Sequence, residues 1–443
     1  MEFIPNFGNI GFTIAAFVVA IMVIVSIHEY GHYIIGRWTG IKADVFSIGM
    51  GPKLFSKVDK HGTRWQVAAL PIGGYVKFRG DADASSGKAD ASAMEGLTPE
   101  ERRATMHGAP LWARALTVLA GPVFNFILSA IIFSVFYFSG GVATDPLSVA
   151  KVKAVPGLEQ SFEPGDVLLS INGQPVPLLE AFASYAADLP DQATVDYVIE
   201  RDGQEQTITT LHPYPPFVSS VSPQSAAYAA GLQEFDLITA IDGVSIATFE
   251  DLRDAVTAGE GAPMTLTLNR AGDMMDVTLT PKQMDLPLPE GGFETRYLIG
   301  IGGTLIFEPA TVSPGIGEAI WGGISQVGFV IKSSVSGLYH MVVGNISSCN
   351  LSGPIGIAET AGAAASGGID NFIWLIAVLS TAIGFLNLFP IPVLDGGHLV
   401  FHAYEALSGK PPSDGALRIL MTIGLVLVIS LMVFGLTNDV FCP

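Results

Sequence analysis

The chain has 443 residues, a formal net charge of −19 at pH 7, only 14% charged residues and a mean hydropathy of +0.47. It is too apolar for an ordinary water-soluble enzyme of this length, and its acidity argues against nucleic-acid binding. Two cysteines, Cys349 and Cys442, exclude a disulfide scaffold or a thiolate metal site; two unpaired thiols are the expectation, rather than a bridge.

Four stretches approach the roughly 20 apolar residues that cross a bilayer: 12–35, 111–138, 372–389 and 416–436. The first segment, 1–36, carries no charge from Ile10 to Ile27 and then reads His28-Glu29-Tyr30-Gly31-His32 within the same helix. Histidines four apart on a helix share one face, one turn apart, where both can grip one metal ion. Ionisable groups at bilayer depth are costly and mark function. Residues 1–9 hold no Lys or Arg, so the basic leader of a cleaved signal peptide is missing, and the histidines lie where cleavage would fall.

Segment 37–110 contains two apolar runs, 45–55 and 65–78, around the polar turn Asp59-Lys60-His61-Gly62. Their glycines, β-branched and aromatic residues read as a membrane-associated β-hairpin. Residues 81–106 are small, polar and turn-prone, and are expected to form a mobile loop. The second span, 111–138, includes Gly121-Pro122-Val-Phe-Asn125.

An internal repeat follows. Phe162-Glu-Pro-Gly-Asp166-Val-Leu-Leu-Ser-Ile-Asn172-Gly matches Leu232-Gln-Glu-Phe-Asp236-Leu-Ile-Thr-Ala-Ile-Asp242-Gly. Each copy continues with a helix-like stretch and two strand-like runs about a turn, at Arg201-Asp-Gly and Arg270-Ala-Gly. The pattern resembles the PDZ domain, with copies at 143–213 and 214–285. PDZ domains bind extended peptide ends as an added strand, and a passive steric cap is the competing role. In 315–345, Ile320, Ile324, Val327, Ile331, Val335, Leu338 and Val342 recur at three- and four-residue steps. With Trp321 and Tyr339 this reads as an amphipathic helix along the outer membrane interface. The third span belongs to segment 372–398 and the fourth to 416–437.

Between spans one and two, Lys and Arg outnumber Asp and Glu twelve to eight; between spans two and three, Asp and Glu lead twenty-seven to eight. The positive-inside rule places the first loop in the cytoplasm, and both termini and the large acidic segment outside.

A catalytic zinc needs three protein ligands and an open position for water. His28 and His32 supply two, and Glu29 a base. The best third candidate is Asp395 in Asn387-Leu-Phe-Pro390-Ile-Pro392-Val-Leu-Asp395-Gly-Gly, where two prolines must break helical geometry. Irregular backbone at membrane depth survives only when buried in protein or lining a cavity. His398 and His402 are also four apart, but support roles beside the site or at the cytoplasmic interface fit them better. His61, His107, His212 and His340 show no partner pattern and read as surface residues.

Together, HExxH inside one span and NxxPxPxLDG at the end of another resemble the site-2 protease family of intramembrane metalloproteases. The repeat pair, Gly49-Met-Gly51 and Leu351-Ser-Gly-Pro354-Ile-Gly are similar to its bacterial regulator-of-sigma-E branch. The resemblance implies a multi-pass α-helical membrane protein, with four transmembrane helices, a β-hairpin and two α+β PDZ-like domains. It also implies His28, His32 and Asp395 as Zn²⁺ ligands, Glu29 as general base and Asn387 as a substrate-holding residue. Asn125 matches another family motif, as a substrate contact or as interhelical glue. A helical substrate must be unwound to be cut, and an edge strand offers it backbone partners, with Gly49 and Gly51 permitting close approach. The implied partners are membrane lipid and single-span proteins of the anti-sigma factor type after a first cut, or remnant signal peptides, in a bacterial inner membrane. The rival from another class is a PDZ-bearing membrane scaffold with a structural zinc.

Overall fold

The computed structural model describes residues 10–81, 95–153, 161–222, 225–288 and 292–442. They form two compact units, the first of 1–135, 319–338 and 351–442, the second of 136–318 and 339–350.

The first unit begins with α1 (Ile10–Trp38), which buries Ala16, Ala20, Ile24, His28 and Gly31 along one face. Small residues at that spacing let neighbouring helices approach closely, as apolar spans require. Two long strands follow, β1 (Ala43–Val58) and β2 (Arg64–Phe78), and each folds back on itself. Val45–Ile48 pair with both Arg64–Val67 and Gly74–Lys77, while Arg64–Val67 pair again with Phe55–Val58. Two strands thereby build a sheet four runs wide, with free edges at 53–58 and 74–78. The folds fall at Gly49, Gly51 and Gly73, whose φ values of +84°, +85° and +76° suit glycine.

Asp59 ties the connecting turn to α1. It accepts hydrogen bonds from the His61 and Thr63 amides, Trp65 Nε1 and the Tyr33 hydroxyl at 2.8–3.2 Å. Burial opposes its ionisation, but these bonds hold the carboxyl down to about 2. Of the loop expected over 81–106, residues 82–94 lie outside the described residues. The remainder carries a short helix, α2 (Pro99–Arg103), opened by a Thr98–Glu101 capping box. Then α3 (Leu111–Gly140) runs with Pro122 inside it.

In the second unit, two strands, β3 (Val142–Ala143) and β4 (Val149–Val152), lead into the first repeat. It comprises β5 (Val167–Ile171), β6 (Gln174–Pro175), α4 (Leu179–Ala187), β7 (Thr194–Arg201) and β8 (Gln204–Leu211). After β9 (Ser220–Val221) and α5 (Ala226–Ala229) comes the second repeat. It runs β10 (Leu237–Ile241), β11 (Val244–Ser245), α6 (Phe249–Ala258), β12 (Met264–Arg270) and β13 (Asp273–Leu279). The strand orders are equivalent, β6-β5-β7-β8 and β11-β10-β12-β13. Each repeat also clamps a buried aspartate with an arginine fork, Asp166 by Arg201 and Asp236 by Arg270, at 2.6–2.7 Å.

A hairpin of β14 (Lys282–Pro287) and β15 (Phe293–Leu298) follows, and then three short strands return to earlier parts of the unit. β16 (Ile301–Gly302) pairs with β9, β17 (Phe307–Pro309) with β4, and β18 (Thr311–Val312) with β3. Both repeats therefore use strands beyond residue 285, where the sequence repeat stops. Runs of two or three residues carry no periodicity to read.

Five helices complete the chain: α7 (Ile316–Val342), α8 (Pro354–Ser366), α9 (Ile369–Asn387), α10 (Asp395–Ser408) and α11 (Asp414–Phe441). Inside the first unit, α7 buries Ala319, Gly323 and Val327, packing with Phe133 of α3 and Ala377 of α9. A Cβ on Gly323 would lie 2.2 Å from Ser134 Oγ. The face is made of small residues, which a hydrophobic pattern weighs lightly. Asp439 near the end of α11 caps α8, accepting from the Gly353 and Ile355 amides at 2.7 and 2.9 Å. Among the described residues, α1, α3, α9 and α11 are long and apolar enough to cross a membrane.

Expectations fail at both cysteines and at His212. Neither cysteine is free: Cys349 and Cys442 are both disulfide-bonded, where the sequence pattern reads as two unpaired thiols. His212 is a buried residue rather than a surface one. Desolvation pushes its pKa below the ordinary value. As pH falls below about 6.5, the unfolded chain takes up a proton that the folded ring resists, so stability declines until the lowered native pKa is passed. The slope contributed approaches about 1.4 kcal/mol per pH unit at most. Hydrogen exchange of the second unit in the intact protein, between pH 7.5 and 5.5, should show this loss, and His212→Phe should flatten it.

Candidate metal centre

On α1, His28 and His32 stand one turn apart with their Nε2 atoms 3.1 Å from each other. Asp395, the first residue of α10, places Oδ2 at 3.1 Å from His28 Nε2 and 3.5 Å from His32 Nε2. The three donor atoms lie within 4.8 Å of one another, the one group of this kind among the described residues. The helix break that brings Asp395 here follows from its surroundings. α9 stops at Asn387, Pro390 and Pro392 prevent its continuation, and α10 restarts with its first turn nested against the connecting loop. Only glycine fits there: a Cβ at Gly396 would lie 2.3 Å from the Leu388 carbonyl, and one at Gly397 2.3 Å from that of Ile391.

α3 sets the imidazoles. His32 Nδ1–H donates to the Thr117 carbonyl at 2.8 Å, which leaves the Nε2 lone pair free. Asn125, fully buried, has its side-chain nitrogen 3.3 Å from His28 Nδ1 and its oxygen without a partner. Turned end for end, that amide accepts Nδ1–H and leaves His28 Nε2 equally free. Asn125 thus meets His28 rather than an open substrate path. Gly121 makes the room, since a Cβ there would sit 2.3 Å from His32 Nε2 and 2.8 Å from His28 Cε1.

Asp395 Oδ2 is buried and accepts no well-formed hydrogen bond. Lone pairs from two imidazoles and a carboxylate meeting in an apolar body repel one another unless a cation lies among them. Two nitrogens and one oxygen suit Zn²⁺ and leave a fourth position for water.

A cavity of about 450 Å³ opens onto these groups, lined by Glu29, Asn387 and the free sheet edge at Gly74, Tyr75 and Val76. This edge lies against Glu29: a Cβ on Gly74 would come 3.4 Å from Glu29 Cγ. Gly49 and Gly51 do not line the cavity; they bend β1, and the edge beside Glu29 comes from β2 instead. His398, His402, Arg114 and Glu405 line it as well. His107 also lines it and pairs with buried Asp81 at 3.3 Å, so it is not the free surface residue expected. Sequence reasoning passed over Thr117, Gly121 and the Arg114–Glu405 pair. Gly-Pro inside an apolar helix was the available signal for Gly121; a backbone carbonyl such as that of Thr117 gives none.

Paired imidazoles and a carboxylate among helices of this apolarity define a class, the membrane-embedded metallopeptidases. Comparison with known proteins is specific: the chain belongs to peptidase family M50, whose model matches residues 16–431. It is 36% identical to a protein of Agrobacterium fabrum named zinc metalloprotease, over 96% of this chain and 95% of that one. Identity to a zinc metalloprotease of Rhizobium meliloti is 36%, covering 98% and 97%. Identity to the regulator of sigma-E protease RseP of Salmonella typhimurium is 30%, covering 97% and 99%. The protein is a zinc-dependent metalloprotease of the membrane.

In most helix interiors Gly→Ala favours the helix by about 1 kcal/mol. Gly121→Ala should instead lower zinc affinity and proteolysis by about tenfold or more, because the methyl displaces both rings. Zinc content after dialysis against a chelator checks this, and an unchanged content would rule out the spacing role.

Proposed function

We propose that His28, His32 and Asp395 hold the catalytic zinc and that Glu29 is the general base. The convergence of the three donors beside Glu29, at the mouth of one cavity, carries this reading. When bound, zinc lowers the pKa of a water toward about 7 and polarises the scissile carbonyl. Glu29 takes the water proton and returns it to the leaving amine as the peptide C–N bond breaks. Thr117 and Asn125 hold the ring orientations, and Gly121 keeps α3 clear of them. Asn387, which lines the same cavity, hydrogen-bonds an unwound substrate backbone.

The edge 74–78 receives that backbone as an added strand, and this support comes from its unpaired side facing Glu29. Gly74 admits close approach where a side chain would strike the Ser47 carbonyl, 2.8 Å from the Cβ position. The exposed apolar side chains of Met50, Leu54, Phe55 and Leu70 suit a sheet seated in the membrane.

The substrates proposed are single-span membrane proteins of the anti-sigma factor type, shortened by an earlier protease, with remnant signal peptides as a second class. The likeness to a regulator of sigma-E protease supports this. The excess of basic residues between the first two spans supports a bacterial inner-membrane location with the termini and repeats outside. The two repeats are read as PDZ-like domains that exclude substrates with bulky outer portions.

Glu29→Gln should cut proteolysis by about 100-fold or more with zinc still bound. Single-span fragments should then accumulate in membranes of cells carrying the variant; their absence would refute the enzyme's role in their turnover. Removing both repeats together with the later strands that complete them, residues 142–312, should let untrimmed substrates be cut, and continued rejection of them would end the size-filter reading.

A further inference from the structure

We infer that the Arg114–Glu405 ion pair positions Asp395 over the two imidazoles. This rests on the zinc assignment proposed above. Asp395 is the first residue of α10, and of the fourteen residues in that helix only Gly396 and Gly397, both in its first turn, are buried. Apolar packing therefore holds the first half of α10, where Leu399 meets the cluster around Tyr33 and Phe46, while beyond His402 every residue of the helix except Glu405 is exposed. At the other end, Arg114 Nη1 and Nη2 donate to Glu405 Oε2 and Oε1 at 3.1 and 2.6 Å. Both side chains are largely shielded, 14% and 19% exposed, and 291 positions separate them in the chain.

The pair joins α10 to the helix that sets the imidazoles. Arg114, Thr117, Gly121 and Asn125 recur at three- and four-residue steps, so they share one face of α3. The last three meet His32, both rings and His28 respectively. The same face, at its first turn, grips Glu405. Ten residues of helix separate Asp395 from Glu405, about 15 Å at 1.5 Å per residue. If the far end of α10 were free, a swing of about 10° would move one end by about 2.5 Å relative to the other. Misplacement of about 1 Å can cost a hundredfold in rate. A guanidinium fork meeting both carboxylate oxygens fixes direction as well as distance, which a lysine cannot do.

The test compares full-length protein in detergent, stripped of metal and titrated with Zn²⁺ against a chromophoric chelator. Arg114→Ala and Glu405→Ala should each weaken zinc binding about tenfold, with kcat reduced and KM little changed. Arg114→Lys should fall between, and the exchanged pair Arg114→Glu with Glu405→Arg should recover most of the affinity. Each titration is run below that variant's melting temperature, and a variant that does not fold leaves the Lys and exchanged forms to decide. Melting temperatures that fall while zinc affinity stays at the wild-type level would reduce the pair to a structural tie and overturn the inference. Asp395→Ala separates the two layers. If it binds zinc as tightly as the wild type, the zinc assignment itself fails; if it loses zinc while the Arg114 and Glu405 variants do not, only the positioning role fails.

Discussion

The first unit is organised around a collection of atoms that should not be together without a cation. Two imidazole nitrogens and a carboxylate oxygen meet within a few ångströms in a largely apolar body. Burying one such group costs several kcal/mol in effective terms, and burying three with lone pairs converging costs more. A divalent ion turns that repulsion into attraction, and so the proposed zinc offsets the cost of the arrangement. The Thr117 carbonyl and the Asn125 amide then have a clear purpose, because each engages a ring Nδ1 and leaves the paired Nε2 atoms free.

Close approach is the second requirement, and glycine meets it repeatedly. Gly31 lets α1 lie against α3, where a Cβ would come within 2.5 Å of the Ala120 carbonyl. Gly121 lets α3 lie against both histidines, and Gly396 with Gly397 lets α10 start on top of the broken loop. Without water to drive helices together, such contacts rely on dispersion and fit, and a single added methyl has nowhere to go. The sheet follows the same logic, since the glycines that bend β1 and β2 bring an unpaired edge beside Glu29.

The second unit is built by duplication and then by borrowing. Its repeats share strand order and an aspartate clamped by an arginine fork, and each is completed by a strand that comes after both. Neither fork shows in a hydrophobic pattern, although Asp166 with Arg201 and Asp236 with Arg270 do sit at nearly the same offset. Deletions made at residue 285 therefore leave behind chain that belongs to these folds.

Local order along the chain was enough to read the four apolar helices, the repeat, the helical spacing of His28 and His32 and the break before Asp395. Each of these is written in runs of neighbouring residues: hydropathy over about twenty positions, a period of 3.6, or two prolines in three. The fold of two strands into four runs, the edge at 74–78 in place of the Gly49–Gly51 bend, the burial of His212 and the disulfide state of both cysteines were decided in three dimensions. So were the parts played by Thr117, Gly121 and the Arg114–Glu405 pair. They depend on which distant segments touch, and in an apolar body those contacts are chosen by shape and by the pairing of buried polar atoms, neither of which a single chain's periodicity records.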